Sequence, residues 1–393
     1  MSDTDFDIVI VGAGIAGASL AWQLTAASAP DGRADPAAAP VLVLLLERES
    51  QPGLHSTGRS AAMFMESYGP PQARALTRAS RAFYERPPPG FTATPILAPR
   101  GALYVAWQGQ EEALQAMEDE LRRTGAAITR ISAAQALQRV PLLRADGLIG
   151  AIDEPAAMDI DVHALHQGFL RGFKRAGGLL QCDAELLQAQ FEGQHWTLTL
   201  ADGSQRHCRR LVNAAGAWAD TVAQRAGVAL LGLQPKRRSA FTFKAPEGID
   251  ARAWPTVAAI DDSWYIKPDA GQLLGSPANA DPVAAHDVQP EELDIALAID
   301  AIERDTTLCI RRPTRTWAGL RTFAADGELV IGVDETCEGF FWLAGQGGYG
   351  IQSAHGAAML AASLLFDGRA ANTLAEHGVD ATAMRPGRLR IAP

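Results

Sequence analysis

Cysteine is scarce in this sequence. The chain of 393 residues has only four, which lie far apart without a CxxC spacing: Cys182, Cys208, Cys309 and Cys337. Their scarcity excludes a disulfide-stapled mini-protein, and their spacing argues against a zinc knuckle. The eight histidines show neither an HxH nor an HExxH spacing, so we expect no metal site.

Long apolar runs are also missing. The longest, residues 8–11 and 41–46, are far shorter than the roughly 20 residues with which a helix crosses a bilayer. Residues 1–7 carry acids where a secretory signal needs a basic segment. We therefore expect no transmembrane helix, no export and a cytoplasmic location.

Positive charge is in deficit. Lys and Arg number 35 against 45 Asp and Glu, a net charge of -10, so nothing attracts phosphate backbones or anionic membranes over long range. We expect no nucleic-acid partner. With 47% hydrophobic and 20% charged residues, the composition is that of a globular protein. The length suggests two or three domains.

A glycine-rich turn follows the first predicted strand. Residues 6–11 are apolar and β-branched, which is typical of a buried parallel strand, and an alanine-rich helix is predicted to run to about residue 27. Between them lies Gly12-Ala13-Gly14-Ile15-Ala16-Gly17. In a GxGxxG turn of this kind, the glycines let the backbone approach a pyrophosphate at a helix N-terminus. The motif predicts dinucleotide binding.

The acid that this motif requires comes late. A second predicted strand, residues 41–46, ends at Glu47, about 30 residues after the turn instead of about 20. The Ala/Pro/Asp/Gly segment 28–40 accounts for the difference, and we interpret it as an enlarged loop without a function of its own. Glu47 is then expected to bind a ribose hydroxyl pair.

Two further elements favour FAD over NAD. A short strand runs into Ala214-Ala215-Gly216, a second dinucleotide-contact pattern of FAD proteins. Residues 345–350, Gly-Gln-Gly-Gly-Tyr-Gly, precede a last predicted helix at about 351–366 and suit a flavin ring with developing negative charge. These elements disfavour an NAD-linked hydroxy-acid dehydrogenase, whereas a protein that holds FAD only structurally stays possible.

Other elements follow from local patterns. Helical spacing predicts a helix at 111–124, a capping box at Ser132 and Gln135 opens a short helix, and Asp161 caps a helix at 162–176. Further strands are predicted at residues 196–200, 211–213, 240–244, 263–267 and 328–333.

On these features the chain resembles the D-amino acid oxidase and glycine oxidase type of FAD-dependent oxidoreductases, and within it the bacterial FAD-dependent D-arginine dehydrogenases most. The likeness covers nearly the whole chain except residues 28–40 and the C-terminal tail. The segments that carry it are residues 11–19, 51–62, 164–168, 212–218, 233–241, 267–271, 275–281, 317–321 and 345–352.

The resemblance implies an α/β fold with two domains. A Rossmann-type FAD-binding domain is expected from residues 1–94, 154–224 and 325–393. An α+β substrate domain is expected from residues 95–153 and 225–324, with an antiparallel sheet that covers the flavin.

The resemblance also implies which residues bind FAD. They are Gly12, Gly14, Ile15, Ala16, Gly17, Glu47, Arg48, Ser56, Thr57, Gly58, Arg59, Ser60, Ala61, Ala62, Met63, Leu186, Ala215, Gly216, Trp218, Gly347, Gly348, Tyr349, Gly350, Ile351 and Gln352. The stretch 317–321 contains no cysteine, so we expect noncovalent FAD. His55, beside this stretch of residues, is expected to have a structural role.

By the same resemblance, Arg238 and Arg321 clamp a substrate α-carboxylate, Tyr68 and Tyr265 donate hydroxyls to it, and the Gly348 carbonyl accepts from the amine. Two planar guanidiniums match a carboxylate and would fix Cα for hydride transfer. From the residues alone, Lys236-Arg237-Arg238 could equally be a solvated charge run, and Arg321 a structural arginine.

The predicted side-chain pocket differs from that of the D-arginine dehydrogenases. Ala102 stands where they have an acid, and Met63 and Met65 stand where they have a small polar face. Because burying a guanidinium without a carboxylate costs several kcal/mol or so, we expect apolar D-amino acids such as D-Met, D-Leu or D-Phe. Thr256 and Ala258 complete the pocket, and Asp262 stays a possible acid for a basic side chain.

The expected activity is oxidative deamination of D-amino acids to 2-keto acids and ammonia, by Cα hydride transfer to the flavin. The alternative is oxidation of secondary or small amines such as sarcosine, proline or glycine. The electron acceptor, whether a quinone, a dye-like carrier or oxygen, stays open, as do the stereochemistry from the residues alone and the oligomeric state.

Overall fold

The structure is a computed structural model that describes residues 5–26 and 41–390. The segment 28–40, interpreted above as an enlarged loop, lies outside the described residues. The strands are β1 (Asp5–Val11), β2 (Val43–Leu46), β3 (Met63–Phe64), β4 (Leu97–Pro99), β5 (Ala102–Trp107), β6 (Thr129–Ser132), β7 (Leu148–Glu154), β8 (Met158–Ile160), β9 (Leu179–Gln181), β10 (Leu186–Glu192), β11 (His195–Leu200), β12 (Gln205–Asn213), β13 (Gln234–Phe243), β14 (Thr256–Ala259), β15 (Tyr265–Asp269), β16 (Gln272–Ser276), β17 (Asp281–Pro282), β18 (Arg315–Phe323), β19 (Val330–Asp334) and β20 (Cys337–Ala344). The α-helices are α1 (Ile15–Ala26), α2 (Pro71–Glu85), α3 (Glu111–Arg123), α4 (Ala133–Arg139), α5 (Val162–Arg175), α6 (Ala219–Arg225), α7 (Glu292–Asp305), α8 (Ala354–Asp367) and α9 (Asn372–Ala375).

The first sheet contains the glycine-rich turn. Within the described residues it has eight strands in the order β10-β11-β12-β1-β2-β9, extended by β20 beside β12 and by β19 beside β20. Strand β1 is central and parallel to both β2 and β12. Ile8 and Ile10 pack into one hydrophobic core and Val9 and Val11 into another. Burial on both faces explains why this strand is apolar throughout.

The turn after β1 requires glycine. Gly12 has a φ of +104°, and a Cβ there would lie 2.5 Å from the Ala214 carbonyl oxygen. A Cβ on Gly17 would lie 1.9 Å from the Gly12 carbonyl oxygen. Glycine at these positions therefore lets α1 begin directly after β1, with its N-terminus at the end of the central strands.

The second sheet is the one that the resemblance led us to expect above the flavin. Eight of its nine strands run in the order β17-β13-β16-β15-β14-β5-β7-β6, and β18 pairs with β13. Its pairs are antiparallel except that β14 and β5 are parallel, which differs from the expected wholly antiparallel sheet. A parallel pair needs a long crossover connection, and the chain between β5 and β14 supplies one by passing through the first sheet.

There is also a small third sheet, and in sequence its strands come between strands of the other two sheets. It consists of β3, β8 and β4, so that Met63 pairs with Asp159, and Asp159 with Ala98. The predicted domain bounds stay a prediction. Across residues 5–26 and 41–390, no helix has the length and apolar character to cross a membrane.

Most locally encoded elements are confirmed. The helix predicted at 111–124 is α3, and Asp161 caps α5 by accepting from the Ala164 N–H at 2.8 Å. The capping box is present, since Ser132 Oγ accepts from the Gln135 N–H and Gln135 Oε1 from the Ser132 N–H. The helix predicted at about 351–366 is α8, which begins at Ala354, and α2, α6, α7 and α9 were not predicted.

Candidate functional site

Two adjoining cavities run along the carboxyl end of β1. One, beside the glycine-rich turn, has a volume of about 940 Å³ and the other, beside residues 345–351, one of about 860 Å³, each counted with its opening to solvent. The residues that line both are Ile15, Ala16, Ser56, Thr57, Gly216 and Gln346. The shared lining makes one elongated cleft, the shape that an extended dinucleotide requires.

Most of the predicted cofactor residues line this cleft. They are Gly12, Gly14, Ile15, Ala16, Glu47, Arg48, Ser56, Thr57, Arg59, Ser60, Ala61, Leu186, Ala215, Gly216, Trp218, Gly347, Gly348, Gly350 and Ile351. Six others do not line it: Gly17, Gly58, Ala62, Met63, Tyr349 and Gln352. Of these, Gly17 packs beneath the turn, and Gly58 donates its N–H to the Gly53 carbonyl.

Glu47 lies where a ribose-binding acid is expected, at the end of β2. It is 8% exposed, and its two carboxylate oxygens accept from the N–H groups of Ala13 (3.0 Å) and Glu49 (3.1 Å). Burial raises the pKa of Glu47, and these two backbone hydrogen bonds oppose the rise. The carboxylate thus joins β2 to the glycine-rich turn.

Arg48 and His55 frame the outer end of this cleft around Trp218. The Arg48 guanidinium lies 4.8 Å from the centre of the Trp218 ring, and the His55 ring lies 4.7 Å from it. His55 Nε2 is also 2.9 Å from a Glu49 carboxylate oxygen. These contacts agree with the structural role expected for His55.

Arg59 and Ser56 connect the glycine-rich side of the cleft to the second sheet. The Arg59 guanidinium donates to the carbonyls of Val288 (3.0 Å) and Ala318 (3.2 Å) and pairs with Asp287. Ser56 Oγ donates to the Leu320 carbonyl at 2.6 Å. The guanidinium of Arg59 therefore holds strand β18 against the cleft.

The charge run 236–238 is divided between two faces of β13. Arg237 is 9% exposed and forms ion pairs with three acids: Asp281, Glu291 and Asp294. Arg238 projects from the other face and lines the cleft. Strand alternation separates the two side chains, so the run is not a solvated one.

Arg238 and Arg321 come together on that face. Arg238 pairs with Gly319 of β18 and Arg321 with Lys236 of β13, so the two arginines lie two positions apart on neighbouring strands. Burial, and then the charge of Arg321, lower the pKa of Arg238. Neither arginine forms an ion pair with an acid in the described part of the chain. Two guanidiniums that form no ion pair with a described acid make a site for an anion.

Gly348 and Tyr68 lie beside this pair. A Cβ on Gly348 would lie 3.1 Å from Arg321 Nη1 and 3.2 Å from the Tyr68 hydroxyl oxygen. The Tyr68 ring lies 5.4 Å from that of Tyr349, which packs behind it. Gln352 does not reach the cleft because its amide binds the Tyr68 carbonyl and the Met65 N–H, each at 3.1 Å.

The predicted side-chain pocket lies on strands β5, β14 and β15. Ala258 pairs with Tyr265 on one side and with Tyr104 on the other, and Thr256 pairs with Ala102. The Thr256 hydroxyl contacts the Met63 sulfur at 2.7 Å. Of these residues, Tyr265 lines the cleft beside the arginines, whereas Ala258, Thr256, Ala102 and Met63 do not line it.

The structure adds an acid that the sequence did not indicate. Ala102 is 3% exposed, and its partner on β7 is Glu154. A carboxyl group therefore lies one strand away from Ala102, and its oxygens face the hydroxyls of Ser67 and Tyr104. Asp262 lies in the turn before β15 with a φ of +56°, near enough to Arg238 for their charges to interact.

Two buried donors fit an acceptor-rich cofactor. Gln346 Nε2 and Arg238 Nε are buried and have no hydrogen-bond partner among the described residues, and both side chains line the cleft. FAD carries pyrophosphate and ring carbonyl acceptors that such donors can satisfy. Sequence reasoning did not assign Gln346, although it belongs to the glycine-rich stretch 345–350, nor Tyr104 and Glu154, which only tertiary structure brings near the site.

Comparisons with known proteins agree with this geometry. The chain matches the family model described as DAO, FAD dependent oxidoreductase, over residues 7–364. The FAD-dependent oxidoreductase domain-containing protein 1 of Bos taurus is 25% identical over 422 residues, covering 92% of this chain and 81% of that protein. Mitochondrial dimethylglycine dehydrogenase of Homo sapiens is 28% identical over 141 residues, 35% of this chain and 16% of that protein.

Solved structures share the fold. L-proline dehydrogenase from P. horikoshii has a TM-score of 0.79 at 19% identity, covering 98% of both chains. Glycine oxidase from Geobacillus kaustophilus also has a TM-score of 0.79, at 21% identity, covering 94% of this chain and 96% of that one. The family match spans most of the sequence, and the cleft has the shape and donors that the cofactor needs. This chain therefore belongs to the DAO family of FAD-dependent oxidoreductases, with FAD as its cofactor.

Proposed function

We propose that this protein catalyses the oxidative deamination of D-amino acids to 2-keto acids and ammonia. The observation that carries the proposal is the pair Arg238 and Arg321, which share one face of the sheet, line the cleft and form no ion pair with a described acid. A carboxylate is the anion that two planar guanidiniums bind best. The D configuration rests on the resemblance to the D-amino acid oxidase type.

The chain's own residues orient the substrate. The two guanidiniums hold the α-carboxylate, and Tyr68, next to Arg321, donates its hydroxyl to the same group. Tyr265 of β15, which lines the same cavity as both arginines, is assigned the same role. The Gly348 carbonyl accepts a hydrogen bond from the amine, so the substrate is fixed at both ends and Cα has one orientation.

The reaction then needs a neutral amine. Its lone pair forms the C=N bond as a hydride leaves Cα, and the released imine takes up water to give the keto acid and ammonia. FAD, when bound, supplies the two-electron oxidant for this step. The electron acceptor that reoxidises it is not assigned.

The pocket wall favours a broad or apolar range of side chains. Met63 and Met65 are half-buried, and Ala258 offers a small apolar surface between two tyrosines. Methionine adapts its shape to different apolar groups.

Oxidation of secondary amines is the alternative. Two relatives are named for secondary amines, an L-proline dehydrogenase and an iminodiacetate oxidase, and a third, a dimethylglycine dehydrogenase, is named for a tertiary amine. A secondary amine would keep the same carboxylate clamp but would not release ammonia.

Product stoichiometry tests the proposal. The purified holoenzyme is mixed anaerobically with single D-amino acids, and flavin bleaching, 2-keto acid and ammonia are measured together. We expect one keto acid and one ammonia per flavin reduced. Bleaching by sarcosine or L-proline without ammonia would favour the alternative, and no bleaching by any amine would favour a protein that holds FAD structurally.

A further inference from the structure

Glu154 is a buried acid with an unusual set of partners. It is the last residue of β7 and is 3% exposed. One carboxylate oxygen accepts from Ser67 Oγ at 2.7 Å, and the other lies 3.4 Å from the Tyr104 hydroxyl. No lysine, arginine or histidine of the described chain forms an ion pair with it. Within the described residues, this buried carboxyl group thus has only two hydroxyls as side-chain partners, and they come from two separate parts of the chain.

We propose that Glu154 is a positioning residue that places the Tyr68 hydroxyl against Arg321. It does so by fixing Ser67, the residue before Tyr68, to the second sheet. The inference rests on the proposed function, because it assumes that Tyr68 acts on a substrate carboxylate.

The placement of Tyr68 depends on its backbone. Its side chain is 42% exposed, and its hydroxyl forms no hydrogen bond with a described residue. The ring contact with Tyr349 is its main lateral support. A side chain held this loosely can be positioned only through the segment that carries it.

That segment is held from two sides. On one side, the Gln352 amide binds the Met65 N–H and the Tyr68 carbonyl. On the other side, Glu154 binds the Ser67 hydroxyl. Glu66 and Gly69 of the segment are also held, by Arg81 at 2.7 Å and by Arg74 at 2.6 Å, but both of these arginines belong to helix α2 and not to the second sheet. The Glu154 contact is the one that ties Ser67 to the second sheet, so its removal would let Ser67 shift and carry the Tyr68 hydroxyl away from Arg321.

The Tyr104 contact fixes Glu154 in turn. Burial, followed by the charge of Glu154, raises the pKa of Tyr104, so its hydroxyl keeps its proton and donates to the carboxylate. Burial likewise raises the pKa of Glu154, while the Ser67 and Tyr104 hydroxyls oppose the rise. A hydrogen bond in such a desolvated place is stronger than one in water.

A double-mutant cycle between Ser67 and Tyr68 tests the inference. The probe is benzoate, a carboxylate without an amine, and its Kd is measured on the holoenzyme from the change in flavin absorption. We expect S67A and Y68F each to raise the Kd about tenfold, the worth of one hydrogen bond to a charged group. In the Y68F background, S67A should change the Kd less than twofold or so, because both act through one hydroxyl. Equal effects of S67A in both backgrounds, or no effect in either, would overturn the inference.

Further variants separate positioning from folding. E154A should repeat the S67A result, and S67A alone carries the test if E154A does not fold. Asp153 is the matched control, since this neighbouring buried acid pairs with Arg139 at 2.9 Å, away from Ser67. D153N should leave the benzoate Kd unchanged.

Hydrogen exchange measures how well residues 65–69 are held in place, and it needs no substrate. Amides of residues 65–69 in the holoenzyme should lose protection at least about tenfold in S67A and E154A but not in D153N, and unchanged protection would contradict the inference.

If R238A and R321A bind benzoate as the parent does, the proposed function fails. If those two variants lose binding while the cycle is additive, only the role of Glu154 fails.

Discussion

Arg238 and Arg321 project from the same face of two antiparallel strands, two positions apart in register. Arg238 faces Gly319, where a Cβ would lie 3.4 Å from the Arg59 Cβ, and Arg321 faces Lys236. The pair is separated from the acids that neutralise Arg237, because those acids contact the opposite face of β13. The sheet thus keeps two guanidiniums free for a ligand.

Truncating either arginine should weaken substrate binding but not FAD binding. We expect R238A and R321A each to lose about 2 to 5 kcal/mol of affinity for every α-amino acid, the usual effect of removing one partner of a desolvated charge pair. Titrations of the holoenzyme measure this loss. R252A is the control, because Arg252 is an exposed arginine paired only with Asp250. If both arginine variants bind substrate with near-parent affinity, the assignment of these arginines to the substrate carboxylate is wrong.

The rate of flavin reduction should rise with pH. An ammonium group has no lone pair with which to expel a hydride, so deprotonation of the substrate amine controls the step. Burial raises the pKa of Tyr349 to about 12 and that of Tyr104 above its ordinary value, so these hydroxyls keep their protons through about pH 10. Anaerobic rapid mixing from about pH 6 to 10 measures the profile. A flat profile would show that another step controls the rate.

Glu47 should be needed for FAD affinity. E47A removes the acceptor of the Ala13 N–H and the group expected to bind the ribose. We expect the FAD dissociation constant to rise at least tenfold or so, as when hydrogen bonds to a charged group are lost. Flavin fluorescence after dilution measures it. E192A, which removes an exposed acid of β10, should bind FAD as the parent does.

His355 should make the fold sensitive to acid. Its ring stacks on Phe83 at 4.0 Å, its Nδ1 is buried without a described partner, and burial lowers its pKa to about 3. Below about pH 6.5, His355 binds a proton in the unfolded chain but not in the folded chain. The free energy of unfolding therefore falls as the pH falls toward 3.

Replacing His355 should remove this pH dependence of the free energy of unfolding. Between pH 6.5 and pH 5, we expect the unfolding free energy of H355F relative to the parent to rise by about 2 kcal/mol, since each pKa unit is worth about 1.4 kcal/mol. Urea denaturation at the two pH values measures it. H195F, at an exposed position on β11, is the control. An equal difference between H355F and the parent at both pH values would contradict the prediction.

The elements that the residues alone predicted are those encoded in contiguous sequence, whereas the pair Arg238 and Arg321 was expected only from the family resemblance. The turn Gly12 to Gly17 and the capping groups Ser132 and Asp161 act within a few residues, so their chemistry is visible locally. Glu154 could not be found this way, because its place beside Ala102 depends on the register between β5 and β7. The parallel pairing of β5 and β14 is likewise a consequence of topology and not of local pattern.

Anaerobic flavin reduction by the two enantiomers of one amino acid tests the central claim most directly. The holoenzyme is mixed with D-methionine or L-methionine, and with sarcosine and L-proline, at equal concentrations under rapid-mixing conditions. We predict that D-methionine reduces the flavin at least about a hundredfold faster than L-methionine or either secondary amine. Faster reduction by L-methionine, sarcosine or L-proline would contradict the assignment to D-amino acids.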